Sequence, residues 1–187
     1  MSNTTTNVSV GKPAVAGAVY IGPLTATLPT AVSTTLTGFT GLGYVSEDGV
    51  KNSNTPTTQN IKAWGGDIVA SPLTEKPDEW TLKLIESMNA DVLKAVYNDA
   101  NVSGALSTGI TVNANATDAQ SKKWVIDMVM TNSALKRICI PNGKVTKVGD
   151  IVYKDSEVVG YEITITAMPD SSGNTHYEYI KAASSST

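Results

Sequence analysis

Residues 79–88 read Glu79-Trp80-Thr81-Leu82-Lys83-Leu84-Ile85-Glu86-Ser87-Met88, and their period of two decides the fold class. Trp80, Leu82, Leu84 and Met88 fall on one face, and Thr81, Lys83, Ile85 and Ser87 on the other, the alternation of a strand. The next residues change period. Asn89 suits an N-cap, Asp91 suits the first-turn dipole, and Val92/Val96 and Leu93/Tyr97 pair at i,i+4, which predicts one helix from Asn89 to about Asp99. A few Ser, Gly and Asn residues follow it.

Downstream the pattern returns to β. Trp124 to Thr131 is apolar on both faces apart from Asp127, as expected of a central strand. Leu135–Ile140 runs into Pro141-Asn142-Gly143, where Asn-Gly predicts a hairpin to Lys144–Val148. Asp150–Lys154 and Tyr161–Met168 read as further strands, and Ser171-Ser172-Gly173-Asn174 as a turn before a last strand around His176–Ile180. Upstream, Pro13–Gly22 ends in a first strand at Val19-Tyr20-Ile21. Pro23–Thr40 is rich in Thr, Pro and Ala with almost no charge, which suits a surface run or a segment that waits for a partner. Glu47-Asp48-Gly49-Val50 carries a hairpin signal, and Lys51–Asn60 is a polar run long enough to have a use of its own.

These elements predict a mainly β chain, a β-sandwich or barrel of about eight strands with one short docked helix. The 187 residues fit a single domain over 1–187. Within it lie an N-terminal arm and first strand (1–22), an extended hairpin or loop (46–62) and a C-terminal strand and tail (170–187).

Composition narrows the function. Only 17% of residues are charged, the net charge is −3, and Lys122-Lys123 and Lys136-Arg137 are the basic pairs, a poor footprint for gripping phosphates. Cys139 is the single cysteine, which forbids an internal disulfide and argues against a structural zinc. The start at Met1-Ser2-Asn3 lacks a basic, apolar signal, so folding in a reducing cytosol is expected. No stretch approaches the roughly 20 apolar residues of a bilayer span.

No catalytic constellation is visible. His176, the one histidine, reads as a surface residue, and Cys139, between Ile138 and Ile140, as a buried structural thiol. Gly38-Phe39-Thr40-Gly41-Leu42-Gly43 lacks the Lys-Ser/Thr of a phosphate loop. Asp78, Glu79, Asp91, Asp127, Asp150 and Asp155 lack calcium-loop spacing. Asn101 and Asn115 open chance sequons. No catalytic residue, metal ligand or cofactor is assigned.

Leu42-Gly43-Tyr44-Val45-Ser46-Glu47-Asp48-Gly49-Val50, followed by Ile61-Lys62-Ala63-Trp64-Gly65-Gly66-Asp67, resembles the tail tube proteins of long-tailed phages of Gram-positive hosts. The later strand–helix–strand run and the block from Arg137-Ile138-Cys139-Ile140 through Tyr161-Glu162-Ile163-Thr164-Ile165 extend the resemblance over about residues 10–182. The resemblance implies a virion protein, assembled in the host cytoplasm into hexameric rings that stack into a tube. Tape measure, tail terminator and distal tail proteins are its implied partners, and DNA passes through the lumen without specific binding. Under it, Glu47, Asp48, Lys51, Asn54, Pro56 and Gln59 are expected in ring-to-ring contacts. Glu86 and Asp127, acidic on otherwise apolar strands, are expected to face the lumen. A tube of a contractile tail or secretion-like machine, and a β-sandwich decoration or host-adhesion module, are the competing readings.

Overall fold

The computed structural model describes residues 5–14 and 18–182. The chain order is a 3₁₀ turn (Thr5–Asn7), β1 (Lys12–Pro13), β2 (Val19–Gly22), β3 (Thr40–Gly41) and β4 (Val45–Ser53). Four short strands follow: β5 (Thr57–Thr58), β6 (Ile61–Lys62), β7 (Ile68–Ala70) and β8 (Leu73–Glu75). Then come β9 (Glu79–Leu84), α1 (Ala90–Tyr97), a 3₁₀ turn (Asp99–Asn101), β10 (Val102–Ala105) and β11 (Gly109–Val112). The chain closes with β12 (Lys122–Val129), a 3₁₀ turn (Thr131–Ser133), β13 (Leu135–Val148), β14 (Tyr161–Ala167) and β15 (Tyr177–Lys181).

Nine strands form one antiparallel sheet in the order β3-β2-β12-β13-β14-β9-β4, with β1 also on β12 and β15 also on β13. The mainly β class with a single α-helix is as expected. Trp80, Leu82 and Leu84 point into the core, as their alternation predicts, and Tyr161, Ile163 and Ile165 meet them from β14. Trp124, Ile126, Ile138 and Ile140 extend this core across β12 and β13, and Val92, Leu93 and Val96 of α1 pack against it. Asn89 caps α1, its side-chain oxygen accepting from the Asp91 N–H at 3.0 Å.

Several sequence expectations need correction. β9 stops at Leu84, and Met88 is exposed rather than on the core face. Asp48-Gly49 does not turn a hairpin: β4 runs through it. Val45 pairs with Leu84 and Val50 with Leu82, so the extra residues bulge out of the ladder around Gly49 (φ +70°). Both valines pack on the core, and that shared destination outweighs local turn preference.

Asn142-Gly143 does not turn either. β13 continues for 14 residues, with β12 on one side and β15 and then β14 on the other. Gly143 is there for closeness: a Cβ would stand 2.7 Å from Trp124 Cδ1 and 2.8 Å from Ile165 Cγ2. The Trp124 indole N–H donates to the Gly143 carbonyl at 3.1 Å. Asp150–Lys154 is loop rather than strand, and the stretch after α1 contains an unforeseen hairpin, β10–β11. These elements, with the short strands of 57–75, raise the strand count well above eight. Residues 1–4 and 15–17 of the expected N-terminal arm and first strand, and 183–187 of the tail, lie outside the described residues.

Residues 23–39 cross the second face of the sheet as a strap. Arg137, buried, clamps it: Nη1 donates to the Ala31 carbonyl at 3.0 Å and the Thr34 carbonyl at 2.6 Å. Its Nε and Nη2 make a fork to Asp127 at 2.6 and 2.8 Å. Cys139 Sγ lies 3.6 Å from the Pro29 carbonyl, and burial pushes its thiol up to about 12, which leaves it chemically quiet.

Gly143→Ala is expected to destabilise the fold by about 1–3 kcal/mol through overpacking against Trp124 and Ile165. Thermal unfolding checks it. A variant as stable as the parent would show that the close approach is not a constraint.

Candidate assembly site

The clearest surface feature grows from the β4–β9 pair. Beyond Ser53 the two strands continue away from the sheet as a ribbon, with Thr57 opposite Glu75, Ile61 opposite Ala70 and Lys62 opposite Ile68. Its tip is a glycine turn. The Ala63 N–H donates to the Asp67 carbonyl at 2.8 Å and the Gly66 N–H to the Ala63 carbonyl at 3.0 Å. Gly65 (φ +118°) and Gly66 (φ +101°) take up backbone angles that side chains resist.

Every residue from 51 to 77 is exposed, including large apolar ones: Ile61, Trp64, Ile68, Val69 and Leu73. Trp64, at the tip, is fully exposed (107%). An indole buries on the order of 150–250 Å² in a contact, and at about 25 cal/mol per Å² that is roughly 4–6 kcal/mol left unused in the isolated subunit. Such a ribbon marks an interaction surface.

The arm is rooted in a buried polar node. Asp78, 1% exposed, lies just past its second leg. One carboxylate oxygen accepts from Asn52 Nδ2 at 2.7 Å, on the first leg, and the other from Thr175 Oγ1 at 2.6 Å and His176 Nδ1 at 2.5 Å, ahead of β15. His176 also stands edge-on to Trp80, with ring centroids 5.1 Å apart. The expectation of a surface histidine is therefore corrected, because the node and Trp80 draw its ring inward. Burial alone would raise the Asp78 pKa, but the bonds from Thr175, His176 and Asn52 outweigh it and hold the carboxyl below its ordinary range.

The six residues expected at ring contacts divide in space. Asn54, Pro56 and Gln59 stand on the arm, with the Gln59 N–H bonded to the Pro72 carbonyl at 3.0 Å. Lys51 is exposed on β4 opposite Thr81. Glu47 and Asp48 lie in the β4 bulge, away from the arm. There they rim a cavity of about 500 Å³ between β4, β1 and the end of β12. β4 and β12 are far apart in strand order, so the sheet must curl to bring them to one cavity.

The two lumen candidates have partners within the subunit. Asp127 is tied to Arg137 beneath the strap. Glu86 accepts from the Tyr44 N–H at 3.0 Å and from Asn89 Nδ2 at 2.9 Å, bracing the start of β4 against the helix cap. Gly43 makes room for it, since a Cβ there would overlap the Glu86 carboxylate. Asn101 and Asn115, noted only as sequon matches, exchange amide hydrogen bonds at 3.0 and 3.1 Å.

Among the described residues no group of His, Cys, Asp and Glu can hold a metal ion, and no helix is long and apolar enough to cross a membrane. The Asp78 node has the makings of a clamp, with no nucleophile poised beside it other than Thr175, whose hydroxyl already donates to the carboxylate.

Asp78→Asn is expected to cost about 1–3 kcal/mol, since buried donors lose a charged acceptor. Because the folded pKa is depressed, the stabilisation is full above the unfolded value of about 3.9 and is lost as pH falls through the lower, folded one. Urea unfolding between pH 7 and pH 2 should show a loss of stability below about pH 4 that shrinks in Asp78→Asn. Parallel curves would rule out Asp78 as the source.

No curated protein matches this chain significantly. The family described as Phage tail tube protein matches residues 3–187, nearly the whole sequence. The chain therefore belongs to the phage tail tube proteins, which are structural components of the virion tail and not enzymes.

Proposed function

We propose that this subunit forms hexameric rings that stack into the tube of a long, non-contractile tail of a phage with a Gram-positive host. The tube is the conduit for genome delivery. It assembles in the host cytoplasm, with tape measure, tail terminator and distal tail proteins as partners.

The observation that carries this reading is the arm: a ribbon exposing Ile61, Trp64, Ile68, Val69 and Leu73 has a use only against another molecule. Of the six connector residues, Asn54, Pro56 and Gln59 belong to it directly. Glu47, Asp48 and Lys51 supply charge on the same β4 strand. Exposed sheet edges, such as the outer side of β4, suit strand-to-strand joining within a ring.

The net charge of −3 disfavours retention of DNA inside a conduit. Glu86 and Asp127 would contribute there only through carboxylates already bonded within the subunit, so the repulsion rests on the chain's overall acidity.

Purified protein is expected to give rings or hollow tubes in negative-stain electron microscopy. Replacing residues 55–76 by a two-residue turn should leave unfolding cooperative and the melting temperature near that of the parent, while abolishing tube growth. Lys51–Ser53 must be kept, because they pair with β9. Tubes of normal length from the armless protein would sink the arm as ring connector. A strictly monomeric parent at high concentration would count against the tube itself.

A further inference from the structure

The arm and the cavity sit at opposite ends of one strand. β4 leaves for the arm at Ser53, whereas the cavity is flanked by its opening half, Val45–Val50. One end of the ribbon therefore carries an apolar protrusion and the other an apolar recess. A protrusion that fits a recess elsewhere on an identical molecule makes a head-to-tail contact, which closes into a ring or, where the rotation does not close, repeats along a filament.

The recess is suited to an aromatic guest. Its apolar walls come from Pro13, Ala18, Val50, Ile126, Met128 and Met130. Methionine thioethers are polarizable and adaptable, and pack well against rings. Its volume of about 500 Å³ lies within the roughly 300–1,000 Å³ of clefts that engulf small ligands.

Charges agree with the fit. Trp64 is flanked by Lys62 and Asp67 on the arm, and the recess is rimmed by Glu47, Asp48 and Lys12. None of these five takes part in an ion pair among the described residues. Lys136, also at the recess, is already paired with Glu178 at 2.9 Å. Lys62 toward Glu47 and Asp48, and Asp67 toward Lys12, would bring opposite charges together around a buried indole, fixing register and orientation.

We infer that Trp64 at the arm tip of one subunit seats in the Met128–Met130 recess of a second copy of this chain. The inference rests on the arm being the ring connector, and it names the surface that receives it. The contact is an aromatic anchor in an apolar socket with a charged rim, the arrangement in which a few residues dominate binding.

The test mixes two variants with one added cysteine each, Trp64→Cys and Met130→Cys, in one assembly reaction under oxidising conditions. Cys139 is buried and does not compete. Disulfide-linked dimers between the two variants, formed in tubes and absent from unassembled subunits, are the expected result. Because the cysteine variants can fail to assemble, a second set keeps the question decidable. Trp64→Ala should raise the critical concentration for tube growth roughly thirtyfold or more, the effect of losing an aromatic hot spot. Lys62→Glu should also raise it, and Glu47→Lys with Asp48→Lys should restore growth to Lys62→Glu. If the armless protein cannot grow tubes, yet Trp64→Ala grows at the parental concentration and charge reversal gives no rescue, the socket is overturned and the connector reading stands. If the armless protein grows normally, both fall.

Discussion

The structure turns on β13. It is the strand that every other part of the sheet must accommodate, with β12 along one edge and, on the other, β15 over its first part and β14 over its second. The handover takes place where Pro141-Asn142-Gly143 would ordinarily turn the chain. The chain stays extended because burial on both faces satisfies its apolar residues only in that form. Gly143 lets Trp124 and Ile165 close over the backbone, so the residue that looks like a turn former is a packing residue. With β13 unbroken, its two faces acquire different tasks: Ile138 and Ile140 build the core with α1, and Arg137 and Cys139 hold the strap of residues 23–39.

Two polar devices then position what the subunit shows to others. The Arg137–Asp127 fork, with two strap carbonyls on the same guanidinium, fastens a segment that has no charged side chain of its own. A buried ion pair of this kind adds little net stability over an apolar replacement, but it is costly to break on one side only, which suits it to specifying one arrangement. The Asp78 node gathers both legs of the arm and the approach to β15 on one carboxylate. A protruding ribbon without a core is a weak structure alone. Rooting it in a desolvated hydrogen-bonded cluster gives it a defined direction, which the proposed connector role requires.

Much of this was legible where one local signal acted alone. The alternation of 79–84 and 161–167 is strict, and the Asn89 cap with the i,i+4 pairs of α1 is self-contained, so these elements stand where the residues place them. The failures share a cause. Asp48-Gly49 and Asn142-Gly143 are strong turn formers, yet both lie inside strands whose flanking valines and isoleucines must reach a common core, and tertiary burial overrides a local preference of about a kilocalorie per mole. Asp78 and His176 are 98 positions apart, and nothing in their neighbourhoods announces that they meet. Likewise, Asn101 and Asn115 read as isolated amides until the β10–β11 hairpin brings them together.

By itself the sequence determined the mainly β class, the single helix, the quiet buried thiol and the family to which residues 3–187 belong, because each depends on periodicity, composition or local phrasing that needs no knowledge of distant contacts. It also marked residues 46–62 as an extended, projecting hairpin or loop. Only the tertiary structure decided that this projection is a ribbon continuing β4 and β9, with Trp64 at its tip and an apolar recess beside the opposite end of β4. The reason is physical. The recess exists because a nine-stranded sheet curls until β4 meets β1 and β12, and curvature is a property of the assembled sheet that no stretch of residues carries alone.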